Sequence, residues 1–152
     1  MNNPPLKRHK ALRNLSREHH DSLVFVLRLQ KGVAKKVEIS KMQDYIDWFW
    51  TSNLKIHFQF EEKELFPLLG LYNELVIKAL QEHENIKKLV FEQNKTYDSI
   101  TTLFDSLKAH IRFEERELFM RIQETLSKTE LKAFGDRHSK KIDCGLWINR
   151  FW

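Results

Sequence analysis

One decapeptide occurs twice in this chain. His57-Phe58-Gln59-Phe60-Glu61-Glu62-Lys63-Glu64-Leu65-Phe66 returns as His110-Ile111-Arg112-Phe113-Glu114-Glu115-Arg116-Glu117-Leu118-Phe119, with seven of ten positions identical. Neither copy contains Gly or Pro, and each continues a stripe of apolar residues at helical spacing. Four residues along an α-helix turn about 40° and rise about 6 Å, so the His and the first Glu of each copy share one face. That face is the apolar one: Ile46, Trp50, Leu54, His57, Glu61 and Leu65 in the first stripe, Leu103, Leu107, His110, Glu114 and Leu118 in the second. An internal repeat implies one structural unit used twice. Both His-x-x-x-Glu pairs fall on an apolar stripe, where an unpaired Glu is costly.

The remaining sequence reads as further helices. Leu12, Leu15, His19, Leu23, Val26 and Leu27 follow helical spacing, with Ser16 as N-cap of a helix over about 16–35. Ser40-Lys41-Met42-Gln43 fits an S-x-x-Q capping box opening a second helix, which Pro67 and Gly70 end. Asn73 can cap a third, whose inner face is Val76, Ala79, Leu80, His83, Ile86 and Val90. The fourth spans about 98–125. Ser127-Lys128-Thr129-Glu130 opens a shorter fifth expected to hold Leu131, Phe134, Ile142, Leu146, Trp147 and Phe151. Four Gly and three Pro in 152 residues are too few turn residues for a β-sandwich or barrel. The expected fold class is all-α: an up-down-up-down four-helix bundle with an additional short C-terminal helix. The expected organisation is a 1–11 N-terminal extension, a 12–126 bundle, and a 127–152 C-terminal helix packed on it.

Charge and cysteine content narrow the function classes. The 26 basic and 21 acidic residues give +5, spread without a block of like charges, so no nucleic-acid partner is expected. The longest stretch free of Asp, Glu, Lys and Arg is nine residues, Leu65 to Asn73, where a membrane helix needs about 20. The N-terminus has no apolar signal core. The single Cys144 leaves no internal disulfide and fits a reducing, cytoplasmic location. The C-terminal Trp147, Phe151 and Trp152 can cover the bundle or form a dimer contact, and packing within the chain is the expectation.

The seven His are 9, 19, 20, 57, 83, 110 and 138. A lone His-x-x-x-Glu is ordinary helix-surface chemistry. Duplication of the whole decapeptide, with His19 and His83 on further inner stripes after Glu18 and Glu82, changes that reading. An antiparallel bundle then converges four imidazoles and two carboxylates at mid-height. Mixed N/O ligation of this kind suits a pair of first-row metals, with iron the natural choice and manganese or zinc not separated from it. His-x-x-x-His and His-Glu-x-x-His are absent, and no His has a Glu three positions before it, so zincin and ferritin-type motifs are excluded. His19 and His20 are adjacent; the line Leu15–His19–Leu23–Val26 favours His19, with His20 near the site or an added ligand. Glu62 and Glu115 are rotated about 100° from the inner face and are expected on the solvent side or accepting from ligand His N–H groups. His9 and His138 lie off the repeat and are read as ordinary. Phe58, Phe60, Phe113, Trp48 and Trp50 are read as apolar walls or core, with Phe60 or Phe113 able to border a metal.

The pattern His19 … His57-x-x-x-Glu61 … His83 … His110-x-x-x-Glu114 resembles the hemerythrin-like (HHE cation-binding) domain. Leu15-Ser16-Arg17-Glu18-His19-His20 and the two Glu-Glu-x-Glu-Leu-Phe runs look like its bacterial stand-alone members. The resemblance covers about 12–125. It implies a four-helix bundle around a non-haem di-iron centre. His19 and His57 would serve one iron, His83 and His110 the other, and Glu61 and Glu114 would bridge them with an oxo or hydroxo group between. Oxygen-carrying members have a further His four residues from the third-helix ligand; here those positions are Ala79 and Lys87. Four His and two Glu remain, which points away from stable oxygen storage.

The expected function is binding or sensing of a small ligand, namely dioxygen, nitric oxide or peroxide, and a metal-binding protein is favoured over an enzyme. A di-iron enzyme or iron-handling protein of oxidative or nitrosative stress defence fits the same residues. So does a helical interaction module that has lost its metal.

Overall fold

The computed structural model describes residues 7–138 and 145–152. It is all-helical, with no strand among the described residues, and four long helices are followed by a short one. Helix α1 is Arg13–Ala34, preceded by a 3-10 turn, Lys10–Leu12. Helix α2 runs without interruption over residues 39–69, α3 is Glu74–Phe91, α4 covers residues 97–125, and α5 is Lys128–Arg137. None is long and apolar enough to cross a membrane.

The caps agree with the sequence in part. Asn73 accepts from the Leu75 N–H, and Ser127 and Glu130 form the reciprocal box expected at α5. Ser16 is not a cap: α1 begins at Arg13, and the Ser16 hydroxyl donates to Glu115 at 3.0 Å. His9 instead caps the turn before α1, accepting from the Ala11 N–H. The Ser40 box is not formed either. Helix α2 starts at Ile39 after Glu38 with no side-chain cap, and Gln43 donates to Asp47. Leu23 and Leu27 are exposed rather than inward, because the buried face of α1 runs through Leu15, Glu18, His19, Ser22, Phe25, Val26 and Leu29. Hydrophobicity cannot announce a face that carries a buried Glu and a buried Ser.

Three wide π turns interrupt the α geometry: Trp50–Leu54, Glu61–Leu65 and Glu114–Leu118. In the two repeats the turn starts at the inward Glu, whose carbonyl accepts from the N–H five residues on, Phe66 or Phe119. The extra residue per turn rotates Phe66 and Phe119 inward beside Leu65 and Leu118, and all four are buried. Pro67 follows where the α ladder has already changed, so α2 persists to Leu69. Gly70, at φ 106, ends it in a region that favours glycine.

Two apolar clusters form the core. The first gathers Phe25, Tyr45, Leu54, Ile86 and Leu107 among others, and the second Leu15, Phe66, Ala79, Leu118 and Phe134. Along each long helix the His lies between residues of the two clusters. Their order alternates: second to first in α1 and α3, first to second in α2 and α4. Burial of each large apolar side chain contributes about 1.5–3 kcal/mol, so both ends of the polar layer are held firmly.

The C-terminal part departs from the expectation. Helix α5 ends at Arg137, so Leu146, Trp147 and Phe151 are outside it, Leu146 is exposed, and Ile142 lies outside the described residues. The rings of Trp147, Phe151 and Trp152 pack on Tyr45 at 5.3–5.7 Å between centroids. Phe151 approaches α1 at Gly32, where a Cβ would meet its Cε2 at 2.8 Å.

Candidate metal centre

The six candidate residues meet in one buried layer. His19, His57, Glu61 and Glu114 each offer an atom within 4.8 Å of the others, and so do Glu61, His83, His110 and Glu114. Both carboxylates belong to both groups. All six residues are at most 3% exposed. The Nε2 atoms of His19 and His110 each lie 3.0 Å from Glu114 Oε1, and that of His57 lies 3.1 Å from Glu61 Oε1. His83 Nε2 is 3.4 Å from Glu61 and 4.0 Å from Glu114.

A carboxylate stands behind every imidazole. His57 Nδ1–H donates to Glu18 at 2.6 Å, His110 Nδ1–H to Glu82 at 2.8 Å, and His83 Nδ1–H to Glu62 at 2.8 Å. His19 Nδ1 lies 3.3 Å from Glu115. The scheme is two-fold: the Glu preceding the His of one helix supports the His of the next, and the Glu following each inward Glu supports the other His. The Nε2–H of His19 donates to Glu114 at 3.0 Å. An ionised carboxylate only accepts, so the Nδ1 of His57, His83 and His110 carries a proton, which leaves Nε2 as the nitrogen a metal can take once any proton on it is released. This arrangement fixes the tautomer a metal needs.

The titration behaviour follows from the same contacts. Burial pushes Glu61 up to about 8, reinforced by the charge of Glu114. Burial also works against charge on Glu114, but His110 and His19 hold it well below the usual carboxylate range. Burial opposes a cationic His110, yet Glu114, Glu82 and Glu61 raise it to about 10. His19 and His83 are raised too, burial being outweighed by Glu114 and Glu115 for the first and Glu61 and Glu62 for the second. Glu18 falls to about 2, the hydrogen bonds from His138 and His57 overcoming its burial.

Orphaned atoms test whether the layer suits a metal. The Nε2 atoms of His57, His83 and His110, both Glu61 oxygens and Glu114 Oε2 are buried without a hydrogen-bond partner. Several sit within 3.5 Å of an opposite group without forming a hydrogen bond to it. Buried polar atoms are normally satisfied, so this many in one place calls for a ligand. Imidazole nitrogens and carboxylate oxygens are donors suited to first-row cations. The residues therefore fit a metal.

His20 is exposed and takes no part. Glu62 accepts from His83, and Glu115 lies 3.3 Å from the Nδ1 of His19. Phe60 and Phe113 do not border the cluster: Phe60 stacks on His138 at 4.0 Å, and Phe113 lies beneath Lys78. The rings against the imidazoles are Phe58, stacked on His83 at 3.8 Å, and Phe119, stacked on His19 at 5.3 Å. His138, expected to be ordinary, is buried and donates to Glu18 at 2.9 Å. In the sequence Glu18 and Glu82 stand out only as the residues preceding His19 and His83. Their supporting role could have been sought by asking which carboxylates flank a ligand one position off the inner face.

An all-helical domain with a buried, carboxylate-supported His/Glu layer defines a metal-binding helical class. The chain belongs to the family of the Hemerythrin HHE cation binding domain, which matches residues 10–122. No curated protein and no solved structure matches it.

Proposed function

We propose that this chain holds two iron ions between α1, α2, α3 and α4. His19 and His57 bind one, His83 and His110 the other, and Glu61 and Glu114 bridge both. The surrounding fold is an up-down-up-down four-helix bundle, a reading supported by the alternating order of the two core clusters along successive helices. The convergence of unpartnered Nε2 and carboxylate atoms on a shared buried space carries the metal assignment. The protein binds or senses dioxygen, nitric oxide or peroxide, in a reducing compartment consistent with its single cysteine.

When bound, the metal pair supplies redox chemistry toward small ligands. The chain's own contribution is to hold the imidazole tautomers of His57, His83 and His110 through Glu18, Glu62 and Glu82 and to exclude water with Phe58, Phe66 and Phe119. A cavity of about 330 Å³, lined by Trp50, Phe58, Glu62, His83, Lys87 and Phe91, brings solvent to the outer edge of His83. Ala79 and Lys87 stand four residues either side of His83 and supply no fifth imidazole. That observation favours, as a second reading, a di-iron enzyme or iron-handling protein of oxidative or nitrosative stress over stable oxygen storage.

Metal content per chain and the optical spectrum, before and after anaerobic reduction and oxygen exposure, test both readings. About two irons with a reversible spectral change support binding or sensing. Two irons that oxidise irreversibly support the second reading. No metal after anaerobic loading removes both.

A further inference from the structure

The family match stops at residue 122, but a residue beyond it reaches the layer behind the imidazoles. His138 follows the last turn of α5 and is buried. Its Nε2–H donates to Glu18 Oε2 at 2.9 Å, while His57 Nδ1–H donates to the other oxygen, Oε1, at 2.6 Å. Its ring stacks on Phe60 at 4.0 Å. Its carbonyl accepts from Asn14 of α1. Arg137, one residue earlier, pairs with Glu64 of α2 at 3.3 Å. The end of α5 is thus seated across α1 and α2 by four different contacts.

The equivalent position in the other half is built differently. Glu82 accepts from His110, and no third side chain among the described residues bonds to it. Its side chain is 28% exposed, whereas that of Glu18 is 4% exposed. A carboxylate with one donor can turn about its last bond, and water can replace it. One with a donor on each oxygen, and only 4% exposed, cannot turn without losing a bond.

We infer that His138 is a positioning residue for the centre: by anchoring Glu18 it fixes His57, and it makes the His19/His57 position the more firmly held of the two. The inference rests on the proposed metal reading. Helix α5 then acts as a clamp on one half of the site, and its docking is sensed there and not at His83 and His110. Groups that support metal ligands typically change metal affinity about 10- to 100-fold when removed, and His138 acts one bond further out, so about tenfold is expected.

The test uses the full chain, with His138→Phe, which keeps the ring stack on Phe60 but removes the donor, and His138→Gln, which restores an N–H. Two quantities are followed. One is the imidazole N–H resonance of His57 in the metal-free and Zn²⁺-loaded protein. The other is the two-phase release of Fe²⁺ to a chelator. In His138→Phe the His57 resonance shifts while that of His110 stays, and one release phase accelerates about tenfold. His138→Gln returns both toward wild type, which a purely packing role would not do. Unchanged His57 resonance and release in His138→Phe overturn the inference, as does an equal change at His110. If no variant takes up metal, the metal reading fails, and the His57 resonance of the metal-free proteins still decides the positioning role: altered in Phe and restored in Gln sustains it, unaltered in Phe overturns it.

Discussion

The His19/His57 and His83/His110 halves of the centre come from one repeated unit, and their inner parts match closely. The two imidazoles of each half stand 4.8 Å apart between centroids. Each half has a phenylalanine stacked on one ring and a carboxylate behind each. The outer parts diverge. The first half is covered by the N-terminal segment and α5: Arg8 donates to the Glu115 carbonyl and lies over Phe119, and His138 closes over Glu18. The second half faces a cavity, and Glu62 behind His83 is 40% exposed. Duplication thus reproduces donors, whereas access and rigidity are set by segments outside the repeat.

Both carboxylates are shared, so Glu61→Ala or Glu114→Ala breaks the comparison outright. Iron per chain falls from about two to well below one in either variant, both positions emptying together, because removing a carboxylate takes a donor from each. Direct metal analysis measures this, and a variant that keeps two irons contradicts the shared role.

The stacked phenylalanines sharpen the difference in access. Phe58→Ala and Phe119→Ala each lower unfolding stability by about 3–5 kcal/mol, since both rings are buried. Denaturant titration reads that loss. Only Phe58→Ala adjoins the cavity at His83, so it alone should speed binding of nitric oxide to the reduced protein. Equal acceleration in both variants removes the distinction between open and covered halves.

The supporting carboxylates give the next effect. Glu18→Gln weakens metal at its own position about 100-fold, and Glu82→Gln about tenfold, because water replaces a partly exposed group more readily than a sealed one. Competition with a chelator separates them. Equal losses mean that the difference in burial has no energetic consequence.

Metal uptake must expel protons that the metal-free layer holds, on Glu61 near 8 and on His110 near 10. Those protons are present below these values and oppose binding there. Apparent affinity therefore rises with pH between 6 and 8, about tenfold per pH unit for each proton released. Calorimetric titration in buffers of different ionisation enthalpy counts the protons. The smallest effect belongs to Arg137→Ala. Its ion pair with Glu64 spans 3.3 Å with the arginine side chain 48% exposed, so stability changes by less than about 1 kcal/mol, read by denaturant titration.

Much of this was legible in the residues. Helical spacing and scarce Gly and Pro indicated an all-helical chain. The duplicated His-x-x-x-Glu, with His19 and His83 on inner stripes, picked out the six residues that the fold brings together. The misses have physical causes. Ser16 and Ser40 satisfy local capping rules, but α1 and α2 begin earlier, at Arg13 and Ile39, each without a side-chain cap. Leu23 and Leu27 read as inward because apolar residues normally are, yet Glu18 and Ser22 occupy that face. The wide turns after Glu61 and Glu114 leave no compositional mark, and they are what turned Phe66 and Phe119, not Phe60 and Phe113, toward the imidazoles.

What the sequence determined by itself is the class of fold and the set of inward donors, because both depend on residue type at a fixed helical period. Only the tertiary structure decided which carboxylate supports which imidazole, that His138 anchors Glu18 from 120 residues away, and which half lies open. Those are relations between helices, set by how their faces pack, and no periodicity along one helix encodes the partner it meets on another.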